Sequence, residues 1–173
     1  MRPVKFVDKL CLNCGLCCDS TLFVDVKLRP DDNAKRLAQL GLTLTRKGRG
    51  KLAFCQPCAC FDGKYCRIYD ARPGQCRAFE CGLLKKVAGG EMSTEAALKT
   101  ISEAKTLAKR VRSLLLAFGQ RPEENPMAHC YSEAMTGPID LSGDADNNAK
   151  RHGRLMEAFG DLTGLLEREF LSH

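Results

Sequence analysis

The chain has 173 residues, with 27 Lys+Arg against 21 Asp+Glu for a net charge of +6, 44% apolar residues, no Trp and eleven Cys. That length suits one domain with its own core, and no stretch approaches the ~20 apolar residues that span a bilayer. Met1-Arg2-Pro3-Val4-Lys5-Phe6 lacks the apolar run of a secretory leader, so the chain reads as soluble and cytoplasmic, where reduced, clustered cysteines serve metal or redox chemistry rather than disulfides.

Four cysteines fall in Cys11-Leu12-Asn13-Cys14-Gly15-Leu16-Cys17-Cys18, two C-x-x-C steps followed by a vicinal pair. A C-x-x-C step turns two sulfurs toward one centre, and Gly15 suits a tight turn that lets backbone N–H groups face them. Adjacent side chains diverge, so Cys17 and Cys18 are expected to serve different centres or opposite sides of one cluster.

Next, Leu22, Val24, Val26 and Leu28 alternate with Phe23, Asp25 and Lys27, the period of a short strand. Pro30-Asp31-Asp32 is expected to open a helix carrying Ala34, Leu37, Ala38 and Leu40, with Gly41 as its stop. Leu42-Thr43-Leu44-Thr45 and Lys51-Leu52-Ala53-Phe54 flank Arg46-Lys47-Gly48-Arg49-Gly50, which predicts a β-hairpin with a glycine-rich, solvated basic tip. No phosphate-loop pattern accompanies these glycines.

The hairpin leads into a second cysteine block, from Cys55 to Cys81, with six cysteines. Metal ligation needs the two blocks to meet in space, because neither alone easily supplies two closed sites. From Ser93 a long helix follows, with Ala97, Ile101, Ala104, Ala108, Val111, Leu115 and Phe118 on one seam and Gly119 and Pro122 ending it. A polar loop is expected from Arg121 to about Asn147, with His129 on its surface. A second helix then carries Leu155, Phe159, Leu162, Leu166 and Phe170. Gly153, Gly160 and Gly164 each weaken that helix by about 1 kcal/mol relative to Ala, so it depends on docking to the first. The predicted fold class is α+β. A small cysteine-rich metal-binding unit with a short hairpin fills residues 1–90, and a C-terminal helical pair over 91–173 packs on it as one compact domain.

Residues 1–90 hold 17 Lys+Arg against 8 Asp+Glu, and residues 91–173 hold 10 against 13. Four thiolates around zinc or a cubane add about −2 per site, so the basic half is read as balancing buried sulfur charge. A nucleic-acid face is disfavoured, because no aromatic ladder accompanies the cations.

The pairing of CxxCGxCC with Cys66-Arg67-Ile68-Tyr69-Asp70-Ala71-Arg72-Pro73-Gly74-Gln75-Cys76-Arg77-Ala78-Phe79-Glu80-Cys81 resembles the YkgJ-type cysteine cluster family, a zinc- or iron-chelating domain. The resemblance covers residues from about 11 to 81. It implies eight metal-ligating cysteines: Cys11, Cys14, Cys17, Cys18, Cys58, Cys66, Cys76 and Cys81. Cys58 is taken rather than Cys60 because the family places a bulky apolar residue three positions after the cysteine, as Phe61 stands here. Cys55 and Cys60 are then extras, and Cys130 is a small buried residue or a late ligand. Tyr69, Arg72 and Arg77 belong to the same motif and are expected to hold thiolates or carbonyls in place, or to pack and pair with Asp70 or Asp62.

Soft thiolates suit zinc, iron–sulfur clusters and Cu(I). An iron–sulfur cluster, of the 4Fe–4S type first, is preferred to zinc, and both depart from plain patterns at Cys17-Cys18. The expected role is a cluster or metal carrier or redox partner of an unidentified protein, with no membrane and no catalytic constellation. The alternatives are a zinc-stabilised adaptor that binds a partner through its helical tail, or a component of a cluster-dependent enzyme.

Overall fold

The computed structural model describes residues 6–137 and 145–171. The chain runs α1 (Phe6–Cys14), β1 (Asp25–Lys27), α2 (Ala34–Gln39), β2 (Leu44–Lys47), β3 (Lys51–Cys55), α3 (Gly74–Ala78), α4 (Gly82–Ala88), α5 (Thr94–Ala117), α6 (Met127–Thr136) and α7 (Ala145–Glu169). The class is α+β, a small antiparallel sheet of order β1-β3-β2 followed by a helical C-terminal region.

The hairpin forms where the alternation placed it, with Leu44 opposite Phe54 and Lys47 opposite Lys51. Its tip is tighter than expected. Arg46 and Lys47 belong to β2, and a 3-10 turn over Gly48–Gly50 makes the reversal. β1 pairs with the other edge of β3 and is only three residues long. Val26 is buried, but Val24 stands exposed outside the strand, so the alternating apolar pattern overstated its length.

The first short helix also starts later than Pro30-Asp31-Asp32 suggested. Asn33 is the N-cap, its side chain accepting from the Arg36 amide at 3.0 Å. Asp32 instead accepts from the amides of Arg29 (2.8 Å) and Gly74 (2.7 Å), tying this turn to α3. Gly41 ends the helix at φ +101°, as a stop glycine should.

Two hydrophobic cores result. One joins Val26, Leu37, Leu42, Phe54, Cys58, Cys60 and Ile68 beneath the sheet. The larger one is helical. The α5 seam of Ala97, Ile101, Ala104, Ala108, Val111 and Leu115 is buried along its whole length. Its alanines let neighbouring helices approach closely. α7 lies against it through Leu155, Ala158, Leu162 and Leu166, and Leu10 and Leu16 from the first cysteine block and Leu83 and Leu84 of α4 complete the core. Ser93 caps α5 by accepting from the Ala96 amide at 3.1 Å.

The expected loop from Arg121 to Asn147 is corrected by α6. Met127, Cys130 and Ala134 recur at helical spacing on its buried face, and His129 lies exposed on this helix, 3.5 Å from Glu133. Residues 138–144 of that predicted loop lie outside the described residues, and its end, from Ala145, already belongs to α7. α6 begins against the first cysteine block, where the Ser20 hydroxyl accepts from the Met127 amide at 3.2 Å. No helix among the described residues is long and apolar enough to cross a membrane.

Candidate metal centre

Cys11 and Cys14 sit three residues apart on the last turns of α1, on one helix face rather than in a loop. The loop follows at Gly15, whose φ of +76° suits glycine. A Cβ at Gly15 would lie 2.5 Å from the Phe61 ring, so this position also admits the second block. The Gly15 carbonyl accepts from the amides of Cys18 (2.8 Å) and Asp19 (3.1 Å), which closes the turn carrying Cys17 and Cys18. The blocks then meet through main chain, since the Cys58 amide donates to the Cys18 carbonyl at 2.8 Å.

The second block is a chain of short turns. The Phe61 amide donates to the Cys58 carbonyl at 2.9 Å, and Phe61 bridges to Cys66. Asp62 accepts from the Lys64 and Tyr65 amides at 2.9 and 2.6 Å and holds the tip between them. Buried Pro73 precedes α3, which carries Cys76, and Cys81 stands at the N-cap of α4.

All eight cysteines of the expected set line one cavity of about 490 Å³ between the two cores. Cys55, Cys60 and Cys130 do not. Cys55 is exposed at the end of β3, Cys60 is buried with its Sγ donating to the Leu40 carbonyl at 3.4 Å, and Cys130 is buried in α6. No disulfide joins any two cysteines among the described residues.

Around the cavity the eight divide into two neighbourhoods. Burial pushes the Cys14 thiol up to about 12, with Cys81 and Cys11 as its neighbouring sulfurs. Burial also raises Cys17 well above the ordinary thiol range, and Cys14, Cys18, Cys81 and Cys11 lie around it. Cys18 is raised by burial too, but its neighbours are Cys58, Cys66 and Cys76. Burial lifts Cys58 to about 11 and Cys76 to about 12, each with Cys66 nearby. Packing repeats the division, with Cys14 and Cys81 against the helical core and Cys18, Cys58, Cys66 and Cys76 in or against the sheet core. The vicinal pair is therefore the seam between the two sets.

Several dipoles and one cation oppose the burial. The Leu16 amide faces Cys14, the Cys60 amide faces Cys58, and the Leu83 and Leu84 amides at the start of α4 face Cys81, though none of these last closes a capping hydrogen bond. Arg72 favours the Cys76 anion. Its guanidinium lies 3.7 Å above the Tyr69 ring and donates to the Tyr69 carbonyl at 2.9 Å, so it is oriented by Tyr69 and has no ion pair to Asp70 or Asp62 among the described residues. Tyr69 and Arg77 line the cavity as well. Phe23 and Phe79, in edge-to-face contact at 4.9 Å, form part of its wall.

Sequence reasoning did not reach two features. Gln56 lines the cavity at 2% exposure, with no partner for its Oε1 among the described residues; a lone Gln between cysteines carries no pattern that marks it. Arg112 of α5 donates to the Asp19 carbonyl (2.8 Å) and to the Thr21 hydroxyl (2.9 Å), and pairs with the Asp19 carboxylate at 3.0 Å. It clamps the end of the first block from 91 to 93 residues away.

The donor chemistry fits a soft metal. Eight thiol sulfurs around one cavity, Cys58 buried and the others partly so, with amide N–H groups facing Cys14, Cys58 and Cys81, are what zinc and iron–sulfur centres take as ligands. Buried thiols kept protonated at neutral pH become stable anions when a cation shares their charge. Among the described residues, no three Cys, His, Asp or Glu side chains close on a single ion-sized point. The sulfurs fall instead into the two neighbourhoods that packing defines.

No curated protein and no solved structure matches the chain. A family model does match, over residues 10–106, more than half of the chain and beyond the second cysteine block into α5. With its two cysteine blocks folded around one cavity, the chain belongs to the CxxCxxCC family, described as a "putative zinc- or iron-chelating domain".

Proposed function

We propose that the chain is a metal-binding protein with two four-cysteine sites, Cys11, Cys14, Cys17 and Cys81 at one and Cys18, Cys58, Cys66 and Cys76 at the other. The observation that carries this reading is the gathering of these eight cysteines, and not the other three, around one cavity. An iron–sulfur cluster, of the 4Fe–4S type, is the preferred occupant of at least one site. A single zinc ion needs four sulfurs closed to about 2.3 Å from one point, whereas a cubane holds its thiolates at separate corners and occupies a chamber. The run of C-x-x-C-x-x-C spacing over Cys11, Cys14 and Cys17, shared with cluster ligation, supports the cluster reading. Such a group supplies one-electron transfer or transferable iron and sulfide when bound. The chain's own residues bind it through thiolates, orient those thiolates through the amides of Leu16, Cys60, Leu83 and Leu84, and wall the cavity in part with Phe23 and Phe79.

The role is that of a cluster or metal carrier or redox partner of another protein in the cytoplasm. The adaptor reading needs an apolar docking face on the tail helices. The large apolar side chains exposed there, among the described residues, are Leu116, Met156 and Leu171, too few to make one.

The test is anaerobic purification with metal and sulfide analysis and an absorption spectrum, alongside three variants. The expected result is a coloured protein with iron and acid-labile sulfide. Cys76→Ser should lose metal, while Cys55→Ser and Cys130→Ala keep it. Two equivalents of zinc without iron or sulfide would overturn the cluster reading and leave the two sites standing. Full metal content in Cys76→Ser would overturn the ligand assignment.

A further inference from the structure

We propose that Gln56 is a positioning residue for the bound metal–sulfur group, its side-chain amide donating a hydrogen bond to a ligated sulfur; this rests on the cavity being the metal site. Gln56 follows β3 and precedes Pro57 and Cys58, and its main-chain amide is already used, donating to the Val24 carbonyl at 2.9 Å. The side chain is therefore held at the cavity by the sheet edge. It is 2% exposed, and its Oε1 has no hydrogen-bond partner among the described residues, although it lines the cavity that the eight cysteines share with apolar and charged side chains. An unpartnered buried carbonyl destabilises the fold that contains it, and native structures retain such groups where they have a use.

The amide has two chemically opposite ends, an acceptor oxygen and an NH₂ with two donors, exchanged by a half-turn of the last side-chain torsion. Thiolate and sulfide bound to metal are hydrogen-bond acceptors. Presenting the NH₂ end to one of them supplies a donor to the sulfur, and the oxygen then takes the place of the NH₂, which is not among the buried unpartnered atoms of the described residues. Methionine has nearly the same length and shape but no donor. Glutamate has the same shape, no donor when ionised, and a negative charge beside the thiolates.

The experiment compares the wild-type chain with Gln56→Met and Gln56→Glu, using Co²⁺ alone as probe. Affinity is read by chelator competition, the thiolate-to-metal charge-transfer band by absorption, and the metal-free melting temperature separately. Gln56→Met should bind Co²⁺ about 10- to 100-fold more weakly, the range for partners that orient ligands, with a shifted charge-transfer band. Its metal-free form should melt at the wild-type temperature or about 3 °C higher, because the orphaned carbonyl is gone. Gln56→Glu should bind at least as weakly as Gln56→Met. Affinities of both variants within twofold of wild type would overturn the proposal. So would a loss of affinity matched by an equal fall in metal-free stability, the mark of a packing residue. A wild-type chain that neither takes up Co²⁺ nor carries iron and sulfide after anaerobic purification would instead overturn the metal-site reading itself, and that is seen before any variant is compared.

Discussion

At Gly15 two demands meet on one residue. Its φ of +76° is left-handed, and the Cβ of any other residue would stand 2.5 Å from the Phe61 ring. Gly15→Ala should therefore destabilise the chain by about 1–3 kcal/mol from backbone strain alone, with the contact adding to it. Urea unfolding measures the loss, and a second change, Phe61→Leu, should recover the contact part but not the backbone part. The turn at Gly15 was legible in the sequence, because a glycine after C-x-x-C has a local reason. Its contact with Phe61, 46 positions later, was not, because nothing local reports a tertiary approach. The vicinal cysteines show the same limit. That adjacent side chains diverge is general stereochemistry, but which sulfurs each would meet depends on the Cys58 amide reaching the Cys18 carbonyl. Gln56 lay beyond sequence reasoning altogether, since its interest is an unmet hydrogen bond in a buried place.

At the level of elements, legibility followed length and regularity. The α5 seam spans 24 residues of unbroken helix, and six of its expected core positions are buried. Each repeats the same packing demand, so the period stands out from noise. β1 and α6 are the opposite case. Three paired residues cannot establish an alternation, and the single buried face of α6 was hidden among Pro, Asn and Gly residues that suggest a loop. The start of α6 is instead fixed from outside, by the Ser20 hydroxyl on the Met127 amide. Arg112 acts at this scale too, fastening the first cysteine block to α5 with a carbonyl, a hydroxyl and a carboxylate as partners. Arg112→Ala should lower stability by about 1–3 kcal/mol, the range for charge-assisted hydrogen bonds lost from partly buried groups. Arg112→Lys should recover only part, since one ammonium cannot reproduce the planar fork. Thermal melts of the metal-loaded and metal-free chains check this. A faster loss of metal to chelator in Arg112→Ala would place the effect at the cysteine block.

For the whole molecule, the decisive fact is that the cavity lies between two cores and belongs to neither. Cys18, Cys58, Cys66 and Cys76 pack with the sheet, Cys14 and Cys81 with the helices. The family match stops at residue 106, inside α5, yet the wall continues to the far end of α7. Phe170, 1% exposed, lines the cavity, and its carbonyl accepts from the Gly82 amide at 2.8 Å, one residue after Cys81. Lys86 of α4 pairs with Glu169 beside it at 2.8 Å. Phe170 and Glu169 thus hold the start of α4 beside Cys81, although the sequence reading had the tail only packing on the cysteine-rich unit, as a buttress. Phe170→Ala should cost about 3–5 kcal/mol, as large-to-small changes of buried aromatics do, and it should open the cavity wall on the side of Cys81. The two effects separate in one experiment. Chemical unfolding of the metal-free protein reports the packing loss, and chelator-driven metal release reports the wall. Lys86→Ala removes the neighbouring ion pair, which is half-exposed and worth about 1 kcal/mol or less, without enlarging the cavity, so it should weaken the helix contact slightly and leave release unchanged. If Phe170→Ala released metal no faster than Lys86→Ala, the tail would be a buttress after all, and the cavity would be closed by the cysteine blocks alone.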